Sequence, residues 1–284
     1  MHATLSPSPI DVHWVVAQVQ AGVAPEDIVR PLIDQGWAEA DAIEAVEQSL
    51  RAYVGDRERE QGLPPAVPVP APVQWNGAAH LHAADRDVGV LAHLVHPQII
   101  VFGNVLAADE CERLIALARS RLVRSTTVDP ATGGDLVHEA RTSEGMYFVR
   151  GDNPLCERIE ARLAALTGWP VENGEGLQVL RYGVGAQYRP HHDYFAPAEP
   201  GSAAILARGG QRVASLVMYL NTTARGGATV FPEAHFQVSA VRGNGVFFSY
   251  DRAHPVTRTL HGGAPVLEGE KWIATKWLRE RRHD

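Results

Sequence analysis

The sequence predicts an α+β fold, mainly β: a double-stranded β-helix (jelly roll) core with supporting helices, plus a small N-terminal helical segment. Three observations carry this. Beyond residue 170, strand-like runs follow one another at 176–182, 212–220, 228–231, 236–241, 245–250, 256–260 and 271–278, with Gly and Pro turns between them and no helical periodicity. Two helix-like segments precede that array, and helices so placed pack on the outside of one sheet. A proline-rich stretch at 63–75 separates all of this from three helix-like runs near the N-terminus.

Composition narrows the function classes. A chain of 284 residues has room for one large domain and a small one. Its 45% apolar and 21% charged residues are those of an ordinary soluble protein. A net charge of -7 offers no global basic surface for nucleic acid or anionic lipid. No apolar run approaches the roughly 20 residues of a membrane span. The N-terminus lacks the basic-then-apolar pattern of a signal peptide, so a cytoplasmic location is expected. Cys111 and Cys156 lie in helix-like segments and read as buried thiols, not as a disulfide framework.

Taken in order, residues 1–56 read as three short helices. Val12, Val15, Val16 and Val19 recur at helical spacing. Pro25, Glu26 and Asp27 open a second helix, with proline at its first position and acids in its first turn. Ile28, Val29, Leu32 and Ile33 are its expected buried face, and Pro31 is expected to kink or shorten it. After a break at Gly36 and Trp37, a third helix is marked by Ala42, Ile43, Val46 and Leu50. Size and pattern resemble a ubiquitin-associated-type bundle, which implies a possible protein partner; docking on the main domain is the alternative. Residues 57–75 read as the linker and 76–284 as the main domain. Within 76–100, His80, His82, His93 and His96, with Asp85 and Asp87, match no ligand spacing with a known mechanism and read as structural or surface groups. Ile99 to Phe102 form a short strand. Ala108, Asp109 and Glu110 then open a helix with Leu114, Ile115, Leu117 and Ala118 as its apolar face. Pro154 starts another, with Leu155, Ile159, Leu163 and Leu166 inward and Gly168 just past its end.

The chemistry gathers around residues 182–193. A strand-like run places Leu177, Val179 and Arg181 on one face and Gln178, Leu180 and Tyr182 on the other, then enters a Gly-rich turn and leaves with His191-x-Asp193. In extended chain, residues i and i+2 point the same way, so His191 and Asp193 converge and His192 faces outward. One imidazole and one carboxylate are two thirds of the two-His, one-carboxylate face that holds non-haem Fe(II). His261 supplies a third ligand, with His254 as a competitor seven residues earlier. His261 is preferred because Lys271 follows ten residues later. On a strand, Lys271, Ile273, Thr275 and Trp277 share a face, and a lysine there is costly unless an anion meets it. A ligand carboxylate fits that need, with Tyr182 as a second hydrogen-bond donor; an edge lysine reaching solvent is the alternative.

These residues are ordered as in one known family. Glu172 to Tyr182, then Gly185, Tyr188, Pro190, His191 and Asp193, then 212–220, then Gly226, Gly227, Thr229, Phe231, Pro232 and Glu233, then His261, Pro265 and Lys271 with Trp272 resemble the catalytic domain of prolyl 4-hydroxylases. Arg141, Thr142 and Ser143 resemble that family's upstream motif. The resemblance covers roughly 97–281 and does not reach 1–75. It implies a dioxygenase using Fe(II), 2-oxoglutarate and O2, with ascorbate as reductant, that hydroxylates prolyl residues of a peptide or protein and yields succinate and CO2. It implies that His191, Asp193 and His261 ligate the metal, and that Lys271, Tyr182 and Thr229 hold 2-oxoglutarate. It places Arg141, Tyr188 and Arg212 along a peptide groove with Glu175 and Trp277 near it. Other amino-acid targets, a non-catalytic jelly-roll binding module and a zinc hydrolase are the alternatives. Loops 129–140 and 197–210 are the expected lids.

Overall fold

The computed structural model describes residues 10–72, 77–128, 131–132, 134–136 and 139–283. The chain divides into two compact units after Pro65.

In the first unit, helices span Val12–Gln20, Pro25–Asp34 and Glu39–Glu60. Asp11 caps the first through its side chain, and Pro25 opens the second. Val15, Ile28, Val29, Leu32, Ala42 and Val46 form its core, with Trp37 packed against them. The helix through Pro31 is neither broken nor shortened. Proline there forfeits a bond to the carbonyl of Asp27, which sits in the exposed first turn where water can replace it. Val19, Ile33 and Ile43, expected inside, are exposed, because three short helices cannot cover so wide a stripe.

The second unit is built on an antiparallel nine-stranded sheet. Its order is His80–Ala83, Arg86–Leu94, Ile99–Gly103, Gly245–Ser249, Arg212–Tyr219, Lys271–Arg279, Leu177–Tyr182, Glu144–Phe148 and Val123–Arg124. A smaller sheet runs Phe236–Val238, Thr229–Phe231, His261–Gly263, Tyr188–His191. Side chains of the large sheet alternate between two cores. Leu177, Val179, Ala214, Leu216, Met218, Trp272, Ala274 and Leu278 share one with the helices Ala108–Arg119 and Pro154–Thr167. Leu180, Tyr182, Val217, Tyr219 and Ile273 share the other with Phe231 and Val238 of the small sheet. This is the jelly-roll layout, with the two long helices of this unit on one side of the large sheet. Cys111 and Cys156 are buried free thiols.

Two local expectations change, and the His-rich stretch keeps the surface role expected of it. Residues 256–260 form no strand: Pro255 lacks an N–H for a ladder, the His254 ring accepts the Val256 N–H at 3.1 Å, and a 3-10 turn spans Pro255–Thr257. Leu117 is exposed on its helix, while Glu110 is buried there. Glu110 is drawn in by Arg162, which it meets at 2.7 Å; Arg162 also takes Asp85 at 2.7 Å. The His80–Leu94 stretch is an edge hairpin in which His82 pairs with Asp87 at 2.9 Å on the surface.

Candidate active site

The small sheet sets the position of two imidazoles. Strands Tyr188–His191 and His261–Gly263 pair antiparallel, and His191 stands opposite His261 in the ladder. Their ring centroids lie 4.4 Å apart. Asp193 follows two residues beyond His191 and brings its carboxylate between them: His191 Nε2 lies 3.5 Å from Oδ1 and His261 Nε2 lies 3.5 Å from Oδ2. The strands must approach closely for this. A Cβ on Gly262 would sit 2.8 Å from the Tyr188 carbonyl oxygen, so only glycine fits there.

The protonation pattern follows from the partners. His191 Nδ1 lies 3.0 Å from the Arg189 carbonyl and His261 Nδ1 lies 3.0 Å from the Thr259 carbonyl. A carbonyl only accepts, so each Nδ1 donates, which leaves Nε2 as the nitrogen that faces the centre and would carry the lone pair towards a metal. Burial pushes His261 down to about 4, which keeps that ring neutral. Burial opposes ionisation of Asp193, but the facing imidazoles of His261 and His191 and the Arg212 guanidinium outweigh it and hold the carboxyl well below its usual range. Two imidazole nitrogens and one carboxylate, with ligand atoms all within 4.8 Å of one another, suit a non-haem ferrous ion. Tyr188 stacks on His191 at 3.6 Å, and Phe248 packs on His261 at 4.5 Å, so the rings are sterically fixed.

His254 is not part of this cluster; its ring caps the turn that follows it. His192 turns away from the cluster but does not point to solvent. It is half-buried, stacks on Tyr194 at 4.6 Å and leaves Nδ1 without a hydrogen-bond partner.

Beside the cluster lies a cavity lined by Tyr182, Thr229, Lys271 and Thr275 together with His191, Asp193 and His261. Lys271 faces Tyr182 across the strand pair and is only 2% exposed. Burial pushes its ammonium down to about 8. Among the described residues no carboxylate forms an ion pair with it. Its neighbours are aromatic, with Nζ 5.4 Å from the Tyr182 ring and 5.9 Å from the Tyr219 ring. Thr229 is fixed by the Tyr219 hydroxyl at 2.8 Å.

On the other side an open groove is lined by Thr126, Tyr147, Tyr188, His192, Tyr194, Phe195, Glu199 and Arg212. It shares Arg141, Tyr188, His191, Asp193 and Trp277 with the cavity, so the cluster stands where the two meet. Arg141 is buried, bonded to Gln178 at 2.7 Å and to the Thr126 carbonyl at 3.1 Å, with its guanidinium 4.9 Å from the Tyr188 ring. Arg212 bonds Glu175 at 2.7 and 2.8 Å and lies 3.9 Å from the Trp277 ring. Glu175 also accepts from Arg279 at 2.9 Å and lies behind the groove wall, not on it.

Sequence reasoning passed over Gln211, Ser215 and Tyr250. Ser215 carries the one available signal, a hydroxyl alternating with Val213 and Val217 along an apolar stripe. Loop 197–210 contains a short helix, Ser202–Ala207, and its Glu199 and Ser202 reach the groove. Residues 129, 130, 133, 137 and 138 of loop 129–140 lie outside the described residues.

Comparison with known proteins agrees with this geometry. Residues 177–279 match the 2OG-Fe(II) oxygenase superfamily. Prolyl 4-hydroxylase 1 of Arabidopsis thaliana is 43% identical over 204 residues, covering 65% of this chain and 70% of that protein. Prolyl 4-hydroxylase 5 of the same plant is 41% identical over 203 residues, covering 64% of this chain and 68% of the other. A viral collagen prolyl hydroxylase from Paramecium bursaria Chlorella virus-1 aligns with a TM-score of 0.48 at 29% identity, covering 64% of this chain and 95% of that one. With that identity spread over two thirds of the plant enzymes, the chain belongs to the prolyl 4-hydroxylase family of 2OG-Fe(II) oxygenases.

Proposed function

We propose that this protein hydroxylates prolyl residues in a peptide or protein, with His191, Asp193 and His261 holding Fe(II) and Lys271 anchoring 2-oxoglutarate. The observation that carries this is the juxtaposition of three metal-ready ligands with a buried lysine that pairs with no carboxylate among the described residues. When bound, iron, 2-oxoglutarate and O2 supply the oxidation, with the ketoacid leaving as succinate and CO2 and one oxygen entering the substrate. Ascorbate is the external reductant in this reading.

The residues have separable tasks. The Nδ1–H bonds of His191 and His261 aim their lone pairs before any metal arrives. Lys271 supplies the charge for the distal carboxylate, and Tyr182 and Thr229 line the same cavity with hydroxyls to orient it. Arg141, Tyr188, Arg212 and Trp277 shape the groove that brings a substrate carbon to the cluster, and Glu175 fixes Arg212. Tyr188, Tyr194 and Trp277 give that groove the aromatic faces that suit a proline ring. The N-terminal helical unit is a candidate docking module for a protein partner, and the unpaired thiols of Cys111 and Cys156 suit the cytoplasm.

The test is mass spectrometry on proline-containing peptides incubated with Fe(II), 2-oxoglutarate and ascorbate. A gain of one oxygen on proline, matched by succinate, is expected. Oxygen appearing on a different side chain, or on a free amino acid, would move the substrate class while keeping the cofactors. No succinate with any substrate would leave only a binding role.

A further inference from the structure

Asp193 is held by more than its histidine neighbours. Its Oδ2 accepts the Ser215 hydroxyl at 2.5 Å and the Trp277 Nε1–H at 2.9 Å. A carboxylate oxygen has two in-plane lone-pair directions, and these two donors fill both. Ser215 has a single proton and gives it to Asp193. Its other contact, 2.9 Å to the Tyr250 hydroxyl, must therefore run with Tyr250 as donor. Asp193, Ser215, Tyr250 and Trp277 are all buried, so no water competes for these bonds. Ser215, Tyr250 and Trp277 come from three strands of the large sheet or their ends, whereas the histidines belong to the small one. Among the described residues Oδ1 has no such donors; its neighbour is His191 Nε2 at 3.5 Å.

We propose that Ser215, Trp277 and Tyr250 are positioning residues that reserve Oδ2 of Asp193, so that the carboxylate offers the metal Oδ1 alone. This rests on the iron-site reading above. It matters because a facial two-His, one-carboxylate site works by keeping positions open. A carboxylate that swung both oxygens onto the metal would close one of them. Ser215 fixes the rotation of the carboxyl plane, Tyr250 fixes the rotation of the Ser215 hydroxyl, and Trp277 ties the same oxygen to the groove wall.

The experiment uses the full chain loaded with Co(II), whose visible spectrum reports coordination without turnover. Wild-type protein is titrated with Co(II) against a competing chelator and then with 2-oxoglutarate. Ser215→Ala and Tyr250→Phe are treated alike, with melting temperatures recorded. The expected result is that both variants still bind Co(II) but show an altered spectrum. 2-Oxoglutarate should bind about tenfold more weakly to Ser215→Ala and about threefold more weakly to Tyr250→Phe, and Ser215→Thr should recover most of the loss. Spectra and 2-oxoglutarate affinities equal to wild type in folded variants would overturn the proposal. If Ser215→Ala does not fold, Tyr250→Phe decides alone by the same criterion. Failure of wild-type protein to take up Co(II) would instead refute the iron site itself.

Discussion

Lys271 and Lys276 leave one strand on opposite faces of the large sheet, and among the described residues only Lys276 meets a carboxylate, Glu160 Oε1 at 2.6 Å. Both are buried to within 2% of complete exclusion from solvent, so the difference lies in the partner and not in the depth. Replacing Lys271 by Ala should therefore weaken 2-oxoglutarate binding by about 2 to 3 kcal/mol, roughly 30- to 150-fold, with a smaller loss of kcat at saturation. Isothermal titration with the Co(II)-loaded protein measures it. An unchanged affinity would place the ketoacid elsewhere.

The same lysine sets two opposite pH trends. Its folded value of about 8 lies below the ordinary 10.5, so between these the unfolded chain holds the extra proton and the ligand-free protein gains stability as pH rises. The burial cost is full below pH 8. Binding of 2-oxoglutarate needs the charged ammonium, so its affinity should be constant below pH 8 and fall by up to tenfold per unit above it. Parallel melting and titration series from pH 7 to 10 check both signs.

His261 and His254 separate cleanly by position. His261→Ala should abolish succinate formation with or without peptide, as should His191→Ala and Asp193→Ala. His254→Ala removes only the ring that accepts the Val256 N–H, so it should stay active and lose about 1 kcal/mol of stability. An inactive, folded His254→Ala would reassign the third ligand.

Glu175 is the sole carboxylate between Arg212 and Arg279 among the described residues. Glu175→Gln should cost about 3 to 5 kcal/mol, because two largely buried guanidinium groups lose their counter-charge. For a unit of this size that is a fall in Tm on the order of 10 °C. Burial opposes ionisation of Glu175, but Arg212 and Arg279 prevail and bring it down to about 2. Its folded value lies below the ordinary 4.5, so its contribution is complete above pH 4.5 and is lost as pH falls towards 2. Acid melting of wild type and variant should converge in that window.

Loop 197–210 is pinned at its base. Phe195 N–H donates to Gln211 Oε1 at 2.7 Å, and Gln211 Nε2 donates back to the Phe195 carbonyl at 2.7 Å. Arg279 holds the Gly210 carbonyl from below at 3.0 Å through Nε. Hydrogen exchange should show fast exchange at 198–206 and protection at 211–219, with the loop slowing when a proline-rich peptide and 2-oxoglutarate are present. Uniform protection of loop and sheet would remove its role as a lid.

Much of this site was legible because a strand repeats every two residues. That rule alone placed Lys271, Ile273, Thr275 and Trp277 on one face, and it brought His191 and Asp193 together. It failed where the ladder is interrupted. A register shift between Val90 and Ala92 pushes Leu91 outward, so the strand Arg86–Leu94 shows no clean alternation. Pro255 and the His254 ring likewise turn an apparent strand at 256–260 into a helical turn. The Ser215, Tyr250 and Gln211 contacts were invisible for a different reason. Each joins residues 16 to 35 positions apart whose meeting depends on how the sheets fold over one another, which no local pattern encodes.

The ladder position that sets His191 against His261 has a consequence for life under iron scarcity. Spacing between the two nitrogens is written into main-chain pairing, so a vacated centre has no reason to unravel. Stripping the ion should therefore cost little structure, and reloading should be quick and fully reversible, limited by diffusion and displacement of solvent instead of by refolding.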